Sequence, residues 1–404
     1  MTEDGPRIWR TTSLIILAGC IIAILSFGPR SAFGLFQTPM VDARGWTREI
    51  FSLAFAIQNL LWGVGQPIAG MMADRFGTAK VLSLGAVAYM LGLVLSADAT
   101  TPMALHMTAG VLMGLGMSAC SFSLVLAAFG RQVSPEQRSM AFGIGTAAGS
   151  FGQFLFAPLG VALIGSYGWE NSLVIMGGLV MLIPFLAIVL AGKGQAAAGN
   201  VPEQTMTAAL GEAFGHRSYV LLVIGFFVCG FHVAFITAHL PAYITDNGID
   251  ASWGGWAIAL IGLFNIIGSL ASGWIGQRFP KPYLLAAIYL ARSVVILIFL
   301  LTPPSPASIL VFSAAMGLLW LSTVPPTSAL VAVMFGPRFM ATLFGFVFFS
   351  HQIGAFIGVW LGGRLFDTTG SYDVVWWLSI ALGVAAALIH WPIREAPVAR
   401  PQPA

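Results

Sequence analysis

Apolar blocks of about 20 residues, repeated from one end of the chain to the other, decide most of what it can fold into. A block of that length crosses ~30 Å of hydrocarbon as an α-helix, which satisfies every backbone N–H and C=O without water. The blocks lie near 13–40, 50–72, 80–97, 103–129, 139–165 and 171–192. A second set lies near 218–243, 254–276, 283–302, 307–334, 339–364 and 374–393. Only 8% of the 404 residues are charged against 58% hydrophobic, too little polar surface to wrap a water-soluble core of this size. A membrane β-barrel would need short alternating strands, whereas Val220–Cys229 and Val294–Leu301 are unbroken apolar runs. The expectation is an all-α membrane protein with twelve transmembrane helices. The first block is too long for a cleavable signal and no cysteine near either end suits lipidation, so the lipid bilayer itself is the expected partner.

Lys and Arg set the orientation, because short cytoplasmic loops retain positive charge. With the amino end inside, Arg7, Arg10, Arg75, Lys80, Arg131, Arg138, Lys193, Arg217, Arg278, Lys281, Arg338, Arg394 and Arg400 are cytoplasmic. Only Arg44, Arg48 and Arg364 fall on the other side, and Arg30 and Arg292 lie inside spans. Both termini are therefore expected in the cytoplasm of a cell that carries the protein in its inner or plasma membrane. The net charge of +3 reads as this orientation signal, not as affinity for nucleic acid.

The stretch 193–217 is the longest polar connection and divides the chain into a tail (1–12), a bundle (13–192), a linker, a second bundle (218–393) and a second tail (394–404). The bundles repeat one another. Gly65, Gly70, Arg75 and Phe76 recur in register as Gly268, Gly273, Arg278 and Phe279, and Arg138-Ser-Met140-Ala141 echoes Arg338-Phe-Met340-Ala341. Two pseudo-symmetric six-helix bundles imply alternating access, the halves rocking about a site near the midplane.

Between the second and third blocks runs Gly70-x-x-x-Asp74-Arg75-x-Gly77-x-x-Lys80. It resembles the signature loop of the major facilitator superfamily, whose six-plus-six layout matches the whole chain. The glycines permit close approach of helices, and Asp74 at a helix end can pair across the seam in one access state; the plainer reading is a charged turn that fixes topology. Within that superfamily the chain resembles the monocarboxylate transporters and the oxalate–formate antiporters. The resemblance is carried by Pro29-Arg30-Ser31, by Leu240-Pro241-x-Tyr243, and by the Arg338 to Asp367 stretch ending in Asp367-x-x-Gly370-x-Tyr372. It implies that Arg30 contacts substrate, that the first and seventh spans line the cavity, and that the ninth is peripheral. It departs in the eighth span, where Asn265 and Ser269 stand in place of an acid and an anion-binding arginine.

All 15 acidic residues fall in loops, tails or span ends, which argues against efflux of cations and leaves Arg30 and Arg292 without carboxylate partners in the membrane. Arg30 lies about 17 residues into its span, ~25 Å of helix rise, near the bilayer centre. A charge there costs from ~3 to more than 10 kcal/mol, so it must face protein or water. An anionic small-molecule substrate explains it, and backbone carbonyls are the structural alternative. For Arg292 a binding role and an inter-helix role stand level. His232 and His239 share a helix face seven residues apart, and His351 with Gln352 sits within the eleventh span; these histidines are candidates to carry a coupling proton or touch substrate. Asn265 is a donor to a carboxylate or a helix-to-helix bridge. Gln58, Asn59, Gln66 and Gln153 are weaker candidates. Cys20, Cys120 and Cys229 fall in cavity-facing spans and admit a thiolate site for a soft metalloid, or are inert helix residues.

The leading reading is a carrier of a small organic anion, a monocarboxylate, by proton symport or anion exchange. The alternatives are a transporter of neutral or aromatic solutes (efflux or flavin-like uptake) and, behind it, metalloid efflux. No HExxH box or nucleophile–base pair suggests an enzyme, and nothing calls for a cofactor or a catalytic metal. A monomer is the expectation from the resemblance.

Overall fold

The computed structural model describes residues 11–121, 124–125, 128–129, 135–191, 205–336 and 340–398, apart from the side chains of Asp74, of 135–143 and of 340–341. Among them the structure is helical, without strands. Span 1 is Thr12–Arg44, span 2 Arg48–Phe76 and span 3 Thr78–Ala97; span 4 begins at Pro102 and includes helical residues as far as 129. The helix Pro135–Val180 holds two limbs that meet at Gly168, which gives spans 5 and 6, the latter continuing to Ala187. Spans 7 to 12 are Arg217–Asp246, Ser252–Ile275, Lys281–Leu301, Pro306–Phe335, Met340–Thr369 and Asp373–His390. Nine described segments are long and apolar enough to cross a membrane. One of them, 144–187, contains both spans 5 and 6, and spans 2 and 4 complete the twelve.

Local chemistry marks the helix ends. Thr11 caps span 1 by accepting from the Leu14 N–H, Thr101 accepts from Ala104 N–H ahead of Pro102, and Ser305 with Ser308 forms a reciprocal cap ahead of Pro306. Turns that need positive φ use glycine, and they repeat between halves. Gly45 and Gly248 follow spans 1 and 7, and Gly168 and Gly370 follow spans 5 and 11.

Two apolar cores follow the two halves. Phe33, Phe51, Phe55 and Tyr89 sit in the first, and Tyr219, Phe226, Tyr289, Trp320 and Trp376 in the second. The halves dock through span 2 against span 11, span 5 against span 8, and span 1 against span 7. At the last crossing the backbones nearly touch: a Cβ on Gly34 would stand 2.1 Å from the Thr237 carbonyl oxygen, so only glycine fits.

The structure differs from the sequence reading in two places. Span 10 is not continuous but divides into Pro306–Leu319 and Val324–Phe335. Pro325 and Pro326 lack N–H groups, and Val324 N–H bonds to Leu321 O at 2.9 Å, so the helical ladder is interrupted there. The connection between bundles also carries a short helix, Met206–Gly215, that buries Ala209 and Ala213 and leaves Met206 and Phe214 half exposed. Residues 192–204 of the connection, 1–10 and 399–404 lie outside the described residues.

Candidate functional site

Pro29 interrupts the backbone ladder of span 1 just before Arg30, and a 3-10 turn, Phe33–Phe36, follows it. The Arg30 side chain, 4% exposed, donates through Nη2 to Asn59 Oδ1 of span 2 at 2.5 Å. Asn59 is held in turn by its own donation to Phe55 O at 2.7 Å. Aromatic faces box the guanidinium: Trp62 lies 4.9 Å away, and Phe27 and Phe55 lie 5.7 Å away. Among the described residues no carboxylate pairs with Arg30 and its Nε has no partner.

The second half completes the wall. Trp62 meets Phe348 of span 11 edge-on at 5.6 Å, and Phe348 stacks on His351 at 5.5 Å. His351 Nδ1 lies 3.1 Å from Gln352 Oε1. Gly63 makes room for Gln352, since a Cβ there would stand 2.7 Å from the Gln352 Cγ. Three buried nitrogens along this line, Arg30 Nε, Trp62 Nε1 and Gln352 Nε2, have no acceptor among the described residues. All three are donors, and buried donors of this kind are costly unless something accepts from them.

Arg292 takes a different arrangement. It is fully buried and donates to Leu319 O from Nε at 3.1 Å and from Nη2 at 2.7 Å, and to Trp320 O. These carbonyls stand at the break in span 10, so the guanidinium bridges span 9 to the broken helix. Its Nη2 is also 3.6 Å from Cys229 Sγ, and its Nη1 has no partner among the described residues.

Asn265 is fully engaged. Nδ2 donates to Ser150 Oγ of span 5 at 3.0 Å, and Oδ1 accepts from Leu321 N–H at 3.0 Å and from Ser269 Oγ at 3.1 Å. The side chain therefore ties span 8 to span 5 and to the break in span 10. Asn265→Leu is expected to leave the Leu321 N–H unpaired and to destabilise the protein by about 1–3 kcal/mol, read as a lowered midpoint in a detergent melt.

The two span 7 histidines part company. His232 Nε2 pairs with Ser379 O of span 12 at 2.8 Å. His239 Nε2 pairs with Val359 O of span 11 at 2.8 Å, and its Nδ1 lies 3.2 Å from the Tyr372 hydroxyl and 3.4 Å from Gln37 Nε2. The cysteines are not gathered either: Cys120 donates to Leu82 O at 3.2 Å in the first half, Cys20 is half-buried in span 1, and Cys229 stands beside Arg292. No group of three or more metal-binding side chains occurs among the described residues. In the loop motif Gly77 takes φ +94° between spans 2 and 3, nothing crowds Gly70, and Arg75 and Lys80 are exposed. The Asp74 side chain lies outside the described residues, as do the Arg138 side chain and Arg338.

Where spans 1 and 2, 7 and 8, and 11 and 12 join, ionic contacts clamp the halves together. Arg48 makes a two-pronged pair with Asp246, 2.5 Å on each prong, and donates to the Tyr372 hydroxyl at 2.8 Å. Thr47, at the start of span 2, makes no capping bond from its own side chain. Asp367 of span 11 supplies the cap, accepting from the Arg48 N–H at 3.1 Å and the Glu49 N–H at 2.7 Å. Glu49 then accepts from Arg364 at 2.9 Å and from Trp360 Nε1 at 3.2 Å. We call this the latch face.

The family model described as Major Facilitator Superfamily matches residues 19–359, and again 245–404. The chain belongs to that superfamily. Among curated members, an uncharacterized MFS-type transporter, YcxA, of Bacillus subtilis (strain 168) is 27% identical over 369 residues, covering 89% of this chain and 90% of that protein. Monocarboxylate transporter 13 of Bos taurus is 26% identical, covering 99% and 93%, and monocarboxylate transporter 12 of Homo sapiens is 23% identical, covering 93% and 78%. The crystal structure of a D-xylose–proton symporter superposes with a TM-score of 0.75 at 14% identity, covering 96% of this chain and 98% of that one. A bacterial homologue of the human lysosomal transporter Spinster, inward-facing and occupied, gives 0.71 at 15% identity, covering 96% and 97%. As a member of the superfamily the chain is a multi-pass membrane transporter and not an enzyme. Sequence reasoning passed over Trp62 and Phe348, and it did not assemble the latch, although Asp367 and Tyr372 stood in the motif that carries the resemblance. A further early signal of the latch was that Arg48 and Arg364 are two of three cations on the sparsely charged side.

Proposed function

We propose that this superfamily member carries a small organic anion by alternating access, with the carboxylate held between Arg30 in the first half and Gln352 in the second. One observation carries the reading: a buried guanidinium with no carboxylate partner among the described residues, set against the ring of Trp62, whose own N–H lacks an acceptor. An anion supplies both charge and lone pairs, and a two-pronged contact with arginine suits a carboxylate. The names of the relatives, two of them monocarboxylate transporters, agree with this substrate class. A monocarboxylate is the substrate we favour, moved with a proton or in exchange for a second anion. Arg292 and Asn265 serve as inter-helix bridges, and His239 belongs with the latch, leaving His351 and Gln352 as the substrate-side polar pair. The latch side is the outer side, and the charged loop from Gly70 to Lys80 serves the opposite gate.

Counterflow in proteoliposomes tests the reading. Vesicles preloaded with a panel of short monocarboxylates should take up a labelled member of that panel, and the neutral amides of the same acids should not compete. Uptake blocked by amides and flavins but untouched by carboxylates would overturn the anion assignment in favour of a neutral solute.

A further inference from the structure

Arg292 is half-compensated, and its surroundings suggest by what else. The break in span 10 presents the carbonyls of Leu319 and Trp320 to the guanidinium, and a helix carboxyl end carries roughly half a negative charge. Around half of the positive charge then remains in a site with no solvent exposure. The acidic residues stand in loops, tails or span ends, and none pairs with it among the described residues. An ionisable thiol stands next to it. Cys229 Sγ lies 3.6 Å from Arg292 Nη2 and 3.3 Å from the Thr323 hydroxyl, which sits in the break itself and can donate to it. Arg292 Nη1 has no acceptor among the described residues.

We propose that Cys229 is the proton-binding site of the second bundle: it rests as a thiolate paired with Arg292, and takes up the proton that accompanies the anion. This rests on the transport reading above and adds the identity of the protonated group. In the loading step a proton passes from the cavity through the His351 imidazole to Cys229 Sγ, and an S–H bond forms. The ion pair with Arg292 is thereby lost, and no electron changes hands. His351 is placed for this relay, because it stands beside the thiol and stacks on Phe348, the ring that meets Trp62 next to Arg30. Loss of the ion pair loosens the contact of span 7 with spans 9 and 10, so protonation and helix movement are joined.

The other groups facing the pair are accounted for. From span 9 Tyr289 lies under Arg292, ring to guanidinium 5.3 Å, and His390 of span 12 stacks on Tyr289 at 4.9 Å while bonding to Ala386 O. His232, on the same helix as Cys229, is engaged with Ser379 O. Span 8 has no titratable residue between Ser252 and Ile275. Arg292 is thus the one fixed charge in this group.

Infrared spectroscopy of the S–H stretch, which lies in a window free of other protein bands, reads the state directly. A Cys20→Ser/Cys120→Ser protein retains Cys229 alone. At neutral pH it should show no S–H band, and a band should appear on acidification. A full S–H band at neutral pH overturns the proposal. If that double variant fails to fold, wild type minus Cys229→Ser gives the same comparison, with no neutral-pH difference expected and a lost band contradicting it. In proteoliposomes Cys229→Ser should lose proton-driven accumulation and retain anion counterflow. Proton-driven accumulation at the wild-type level would equally overturn it. Absence of counterflow in the wild type would instead count against the anion reading, which separates the two failures.

Discussion

Arg30→Gln is expected to abolish transport while making the ligand-free protein more stable, a combination that a structural arginine would not produce. Truncating one partner of a buried charge pair costs about 2–5 kcal/mol, so affinity for the anion should fall at least ~30-fold. Without ligand the accounting reverses. The guanidinium is buried beside Asn59 and three aromatic rings with no counter-charge among the described residues, and an uncompensated charge at that depth costs at least ~3 kcal/mol. Glutamine retains a donor for Asn59 and removes that cost. The melting midpoint of the ligand-free variant should therefore equal or exceed that of wild type, while uptake vanishes. Arg30→Lys keeps the charge but not the planar fork, and should fall between the two. A falling midpoint together with normal uptake would identify Arg30 as a packing residue.

Breaking the latch should open the face it closes. Asp246 is the two-pronged partner of Arg48, and Arg48 in turn sits on Phe366, 3.8 Å from guanidinium to ring centroid. The pair is partly exposed, 12% and 29% by side chain, so its worth is below that of a fully buried pair. Removing it by Asp246→Asn should shift the equilibrium between access states by about 1–3 kcal/mol, or 5- to 150-fold. Asp367→Asn weakens the cap on span 2 by its loss of charge at a helix amino end and should act in the same direction. Spin labels at exposed positions 98 and 302 straddle this face, one in each half. Their distance distribution should gain a longer component in either variant, and the charge exchange Arg48→Asp/Asp246→Arg should restore the short one. An unchanged distribution in both single variants would mean that apolar docking, such as the Gly34 crossing, holds the face closed alone.

Different levels of this molecule were legible to different degrees. The helices were readable because a bilayer demands a fixed length of apolar chain, and that demand is local in sequence. Arg30 stood out for the same reason, since a lone charge in such a run violates the rule. The latch did not, because Arg48, Glu49, Asp246, Arg364 and Asp367 look like ordinary loop charges until two halves separated by about 200 residues are docked. His232 and His239 share a helix face, but seven residues is ~10 Å of rise. At one height the neighbour is span 12, and at the other it is span 11 and Tyr372. The break in span 10 was half-visible in Pro325-Pro326; that Arg292 fills it was not. Asn265 was readable either as a carboxylate donor or as a bridge, and its contacts to Ser150, Ser269 and Leu321 are of the second kind.

Calorimetric titration of purified protein with the anion that supports counterflow tests the central claim most directly, run on wild type and on Arg30→Gln side by side. The account predicts saturable heat for wild type and none for the variant, with the variant still folded by its melting curve. Equal binding by both proteins would contradict it, and would move the anion site away from span 1.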